Sequence, residues 1–425
     1  MDGPGATILQ CPGCGASSEF KEGFVRGKKG GWSCLSCFQY ELLQTKSRNQ
    51  RASLALVGVA VLLIFLLPEN SWIFFNVVLF YLCLYPSLIP HELGHALGAL
   101  LSGQTVLQIT LGSGPLVFAR RCRGVNVEIR SYPTEGLLFK QHRKRSFIRL
   151  REFVTVLAGP LANFAVAWLI WFACSGTLEH TSPFDQPDPL LALFISNLLL
   201  GFGNLLPFNV RTGSGEVPSD GKQLLLIPFM SVPEKLKRQA IAVCHLTLNN
   251  NDLRACAELC AAGLADYPGN PQLLSIKSIL LCKQRDFRAA RELARALQDD
   301  PSVSAVERAL SRNNLAWFDY LSGDPALLEE ADRMSESALG AMPWSLAVRS
   351  TRGAVLIALG RAAEGVSLLE DKRFIIEDPT NRALIACSLA LGYAARGETG
   401  KARVALQQAA TLDPECVLLE RAQKI

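Results

Sequence analysis

Two histidines and a glutamate stand together in IPHELGHALGAL, residues 89–100. His91 and His95 are four residues apart, so on a helix they share one face and can bind one zinc ion. Glu92 sits beside them, placed to take a proton from a metal-activated water. A catalytic zinc also needs a third protein ligand and one open position. The surroundings sharpen the pattern. Between Trp72 and Arg120 the only Asp, Glu, Lys or Arg is Glu92, and ionisable groups at membrane depth are rare unless they have a function.

The third ligand must come from elsewhere in the chain. The remaining histidines are His142, His180 and His245, and none belongs to a metal pattern. Asp220, in NLLPFNVRTGSGEVPSDGKQLL (residues 204–225), is the better candidate. It follows the fourth apolar run, on the side that the second run reaches at His95.

A second constellation lies near the N-terminus. CPGC and CLSC place Cys11, Cys14, Cys34 and Cys37 in a C-x2-C-x19-C-x2-C pattern. Four thiolates in two knuckles make a closed, tetrahedral, structural zinc site. The linking segment is too small for a core of its own, so metal binding would supply its folding free energy. A redox dithiol is the alternative, but such motifs do not come as matched pairs. The thirteen cysteines are otherwise scattered, which argues against a disulfide framework and for a reducing compartment.

These residues need elements to hold them. The chain has 425 residues, 49% of them hydrophobic, with a formal charge of +5. Apolar runs cover 52–67, 71–101, about 153–176 and 190–207, and a run of ~20 residues matches a hydrocarbon core of ~30 Å. Lys and Arg crowd residues 1–51 and the 102–151 loop, which includes Arg143-Lys144-Arg145; the turn at 68–70 and the loop at 177–189 have none. That alternation predicts four spans with both termini in the cytoplasm. It also sets nucleic-acid binding aside, because the basic charges flank spans. The opening MDGPGATILQCPGC lacks the basic and apolar regions of a cleavable signal peptide. Within the basic loop, residues 105–139 are rich in β-formers with glycine turns and predict a small strand element.

From about residue 234 the texture becomes Ala/Leu-rich and helical. Pro268, Pro301, Pro343, Pro379 and Pro414 recur at spacings of 33, 42, 36 and 35, each expected to follow an amphipathic helix. The segment LALGYAARGETGKARVALQQAATLDP resembles a tetratricopeptide repeat, although Gly392 directly precedes Tyr393. Helix pairs of this kind stack into one core and leave a concave surface for a partner.

HELGH at 91–95, GSGP at 112–115, AGPLANF at 158–164 and NLLP with SDG at 204–221 together resemble the site-2 protease family of intramembrane zinc metalloproteases. The resemblance spans roughly residues 55–230. It implies that His91, His95 and Asp220 bind zinc, that Glu92 activates water, that Asn204 helps position substrate, and that Gly159, Pro160 and Asn163 belong to a packing helix. Twelve residues separate Pro207 from Asp220, more than the family's motif usually holds. The family's glycine-pair element reads here as Pro133-Thr134-Glu135-Gly136.

The expected architecture is therefore a multi-pass α-helical membrane protein of about four spans with a small β element. A cytoplasmic zinc ribbon covers 1–50, the metalloprotease domain 51–230, and a cytoplasmic helical repeat array 231–425. The expected activity is zinc-dependent endoproteolysis of membrane-spanning substrates near the cytoplasmic side, with one catalytic and one structural Zn2+. The expected partners are the bilayer, a membrane-protein substrate and a cytoplasmic protein on the repeats. The expected location is a bacterial inner membrane. A non-proteolytic scaffold with a vestigial metal site is the alternative, and an ion or metal transporter a third class. A buried helix must unwind before its carbonyls can react, and the extended segments at 105–139 could receive the unwound strand by β-addition. Gly94 and Gly98, in GxxxG spacing, would permit close helix packing.

Overall fold

The computed structural model describes residues 8–18, 23–26, 32–66, 71–174, 186, 188–212, 215–371 and 379–424. Lys21, Lys28, Lys29, the 68–70 turn and the loop residues Glu179, His180 and Asp185 lie outside the described residues. The chain divides into two compact units. One joins Met1–Glu41 to Ala240–Ile425, and the other is Leu42–Gln239.

In the first unit, β1 (Leu9–Gln10) pairs with β2 (Ser17–Ser18), and β3 (Phe24–Arg26) with β4 (Trp32–Cys34). α1 (Leu35–Leu66) starts between the second pair of cysteines and crosses into the other unit. There follow α2 (Ser71–Leu101), β5 (Gln104–Cys122), β6 (Val125–His142), α3 (Ile148–Ala173), α4 (Pro189–Leu205), β7 (Asn209–Thr212), β8 (Gly215–Pro218), α5 (Asp220–Leu226) and α6 (Val232–Asn249).

Among the described residues two helices are long and apolar enough to cross a membrane, Trp72–Leu101 and Ile148–Ala173; α4 is apolar but has 17 residues. At 1.5 Å per residue, 17 residues rise ~26 Å, a little under a ~30 Å hydrocarbon core. α3 begins five residues before the expected Phe153, so Arg149, Arg151 and Glu152 belong to the helix. The packing of α2, α3 and α4 is inverted relative to a protein folded in water. Their shared interior buries Ser87, Asn163, Ser196 and Asn197, while Leu82, Leu93, Leu161, Trp168, Leu199 and Phe202 face outward. Polar groups between helices and apolar groups outside suit a lipid solvent. α2 and α3 touch closely: a Cβ on Gly94 would lie 2.4 Å from Ala158 O, and one on Gly98 2.6 Å from Ala158 Cβ.

β5 and β6 form the expected strand element, closed by a two-residue turn at Arg123 and Gly124 with positive φ at both, the conformation of a tight hairpin. The first part of β5 pairs twice. Residues 104–111 face 136–142 on one side, and 108–111 face 126–129 on the other. The stretch 136–142 is thereby left at an edge.

The repeat region consists of α6 with α7 (Leu253–Asp266), α8 (Pro271–Lys283) with α9 (Phe287–Asp299), α10 (Ala305–Ser322) with α11 (Leu328–Ala341), α12 (Leu346–Ala358) with α13 (Ala362–Leu369), α14 (Pro379–Ala395) with α15 (Thr399–Leu412), and α16 (Leu419–Gln423). Pro268, Pro301, Pro343 and Pro414 each follow a helix as expected. Pro379 instead opens α14, a position where a missing N–H costs nothing. Residues 372–378, within the helix expected before it, lie outside the described residues. Tyr393 is buried, and its Oη donates to Glu370 Oε1 at 2.5 Å.

The cysteine-rich stretch packs on this array. Leu9, Cys11, Phe24 and Cys34 share a core cluster with Ala309, Ala338, Met342, Trp344 and Val348. Ser18 Oγ donates to Ala341 O at 3.1 Å, Ser36 Oγ donates to Trp344 O, and the Phe24 and Trp344 rings meet edge to face.

Candidate metal centre

His91 and His95 lie on α2, on the face that meets α3, and both are buried. Each ring is oriented through Nδ1. His95 Nδ1–H donates to the Thr155 carbonyl at 2.8 Å. His91 Nδ1–H donates to Asn163 Oδ1 at 2.7 Å. The Asn163 amide is set by its own partners, because Nδ2 donates to Ser87 O and to Asn197 Oδ1. Asn197 in turn donates to Ser87 Oγ and Leu193 O. This network ties α2, α3 and α4 together, and in the neutral imidazole it makes Nε2 the lone-pair atom of each ring. Metal-binding histidines are oriented in this way, and losing such an outer partner typically costs about 10–100-fold in affinity. Gly159 gives the His95 ring its room: a Cβ there would lie 2.4 Å from ring atoms.

Asp220 completes the group. Its Oδ2 lies 3.1 Å from His91 Nε2 and 3.4 Å from His95 Nε2, and the two Nε2 atoms are 3.2 Å apart. Oδ2 is buried without a hydrogen-bond donor. With neutral imidazoles and an ionised carboxylate these are three converging lone-pair donors, an arrangement that repels itself unless a cation, a proton or a metal ion, sits among them. Zinc bonds of about 2.0–2.1 Å at tetrahedral angles would separate ligand atoms by about 3.3 Å. The residues present therefore fit zinc.

The long spacing before Asp220 has a structural explanation. β7 and β8 fold most of residues 208–219 out as a hairpin. Its base is closed by Ser219, whose N–H donates to Phe208 O at 2.9 Å and whose Oγ donates to Leu206 O at 2.6 Å. Ser219 also caps α5 by accepting from Lys222 N. Asp220 thus returns to the end of α4. A Cβ on Gly221 would lie 1.8 Å from Leu205 O, so only glycine allows this approach.

Glu92 is buried at 4% exposure, within 4.8 Å of the two histidine donors. Gly136 of β6 presses on it: a Cβ there would lie 2.0 Å from Oε1. A Gly136→Ala variant should therefore displace the carboxylate while leaving the three donor atoms alone. With the proteolytic activity expected from the sequence, the expected result is full zinc content with that activity reduced about 10²-fold, since ångström-scale misplacement has effects of that order. Parallel metal analysis and cleavage assays would check it. Asn204 is half-buried on α4, next to the Leu205 that contacts Gly221. His142 is not drawn to the metal group. Its Nε2 bonds Glu152 Oε1 at 2.8 Å. His245, on α6, belongs to the other unit.

Glu152 was not singled out by its sequence. It is 3% exposed, and besides His142 it pairs with Lys140 Nζ and Lys235 Nζ, each at 3.2 Å. The signal was a lone carboxylate at the start of an apolar run.

The four N-terminal cysteines also converge, with all Sγ atoms within 4.8 Å and Cys14 and Cys34 3.6 Å apart. Zn–S bonds of about 2.3 Å imply Sγ separations of about 3.8 Å. Gly15, at φ 73°, makes the first knuckle turn, with its N–H donating to Cys11 O. None of the thirteen cysteines is in a disulfide.

Residues 79–186 match the model of Peptidase family M50. No curated protein matches the chain. Among solved structures, a thermophilic TPR protein of Thermus thermophilus is 18% identical, covering 44% of this chain and 97% of its own, with a TM-score of 0.35. YrrB, described as a TPR protein with an unusual peptide-binding site, is 17% identical, covering 44% of this chain and 91% of its own, with a TM-score of 0.27.

Proposed function

With residues 79–186 carrying the M50 peptidase segment, we propose that this chain is a zinc-dependent intramembrane endopeptidase. The observation that carries the reading is the convergence of His91 Nε2, His95 Nε2 and Asp220 Oδ2 beside Glu92. His91, His95 and Asp220 hold the catalytic metal. A zinc ion held there supplies Lewis acidity and makes water a nucleophile near neutral pH. Glu92 accepts the proton of the attacking water and passes it to the leaving amine. Asn163 and the Thr155 carbonyl keep the histidine rings in register, and Asn204 lies near enough to the end of α4 to meet substrate. A scaffold would leave this arrangement without a role.

The substrate is a membrane-spanning helix that unwinds to expose a peptide bond. The edge of the strand 136–142, beside Glu92, is where an unwound segment would add. The first apolar run and α4 join α2 and α3 as spans, giving four, with both termini on the cytoplasmic side of a bacterial inner membrane. The basic residues at 102–151 support the end of α2 nearer His95 as the cytoplasmic end. The cysteine knuckles hold a second, structural zinc, and the ribbon and repeats recruit a cytoplasmic protein or substrate tail.

The test is metal removal. Purified protein in liposomes should cleave a synthetic Leu/Ala single-span helix carrying a central Asn-Gly pair. A chelator should stop cleavage, and added zinc should restore it. Cleavage that survives demonstrated loss of zinc would overturn the reading.

A further inference from the structure

The strand that touches Glu92 carries a cap on its free edge. Residues 136–142 pair with β5 along one edge, and among the described residues no strand pairs along the other. On that second edge the Gln239 carboxamide takes the place of a neighbouring backbone. Its Nε2–H donates to Lys140 O at 2.7 Å, and its Oε1 accepts from His142 N–H at 3.3 Å. A strand's groups alternate sides with period two. The backbone groups of Leu138 and Gly136 therefore face the same way as those of Lys140. The edge is blocked at 140–142, and from 139 back to Gly136, which packs against Glu92, no strand pairs with it among the described residues.

The cap is held firmly. Gln239 sits on α6, and Lys235, one turn earlier, pairs with Glu152. The other oxygen of Glu152 takes Lys140 and His142, the two residues whose backbone Gln239 binds. Arg149 adds a bond to Met230 O at 3.0 Å, just before α6. One buried carboxylate thus joins α3, the strand and α6.

We infer that Gln239 is a specificity-determining stop on the edge that receives substrate. An incoming extended backbone can pair with residues 136–139, over ~13 Å at ~3.3 Å per residue, and meets the carboxamide beyond them. The stop fixes how far the unwound chain slides past Glu92 and so which peptide bond is presented. The inference rests on the protease reading above.

The Gln239→Ala variant opens the blocked end, while Gln239→Glu keeps an acceptor for His142 N–H and loses the donor to Lys140 O. Two measurements decide. In the substrate-free protein, amide exchange at His142 should be about fivefold faster in Gln239→Ala, as for loss of one hydrogen bond. With the single-span Asn-Gly helix, mass spectrometry should show new cleavage positions displaced by two residues and a lower KM, with Gln239→Glu intermediate. Faster exchange with unchanged positions and KM would overturn the stop alone, leaving the protease. Unchanged exchange would show that no cap exists. Absence of cleavage by the unaltered protein would remove the protease reading, and the stop with it.

Discussion

Glu92→Gln should abolish proteolysis in a protein that still carries its full zinc content. The side chain keeps its size against Gly136 but can no longer accept a proton. The three converging donors, His91 Nε2, His95 Nε2 and Asp220 Oδ2, are untouched by the change. Loss of a general base alone typically lowers rate by about 10²–10⁴-fold. Here the same group also returns the proton to the amine, so the upper end is expected. The measurement pairs zinc analysis with cleavage of the single-span helix. Retained cleavage would remove Glu92 from the mechanism. Loss of zinc together with activity would instead make it a ligand. The buried position matters to this distinction, because a glutamate in an apolar helix is costly unless something compensates it.

Much of this centre was legible from spacing. An i, i+4 pair on a helix is a local fact, so His91 and His95 could be put on one face without tertiary information. The cysteine knuckles were legible for the same reason. Asp220 was legible only as a position in the chain after an apolar run. What brings it back is the β7–β8 hairpin and the Ser219 bonds to Leu206 and Phe208, and no periodicity announces those. Asn163, Glu152 and Gln239 lay further out of reach. Asn163 acts through Asn197, 34 residues away, and Gln239 through Lys140, 99 residues away, while Glu152 joins the nearby His142 to the distant Lys235. Their roles depend on helix crossings and strand edges, which one-dimensional patterns do not fix. The union of the ribbon with the repeats was hidden likewise, since Trp344 and Ser36 are 308 residues apart.

Asp220→Ala should lower the zinc content of the detergent-purified protein from two per chain to about one. The variant removes one of three donors. The two Nε2 atoms that remain are held in place by Asn163 and Thr155 but make an incomplete site, whereas structural and catalytic zinc sites carry at least three protein ligands. The ribbon should keep its ion, because its four thiols lie in the other compact unit. A Cys34→Ser control should lose the other zinc and should loosen the cysteine knuckles, although Leu9 and Phe24 keep their packing on the repeat array. One zinc in both the unaltered protein and Asp220→Ala would mean that only the ribbon is loaded, and the membrane site would be a remnant. Two in both would keep the centre but assign its third ligand elsewhere. Two falling to one, with Glu92→Gln holding at two, separates the residue that binds the ion from the residue that moves the proton.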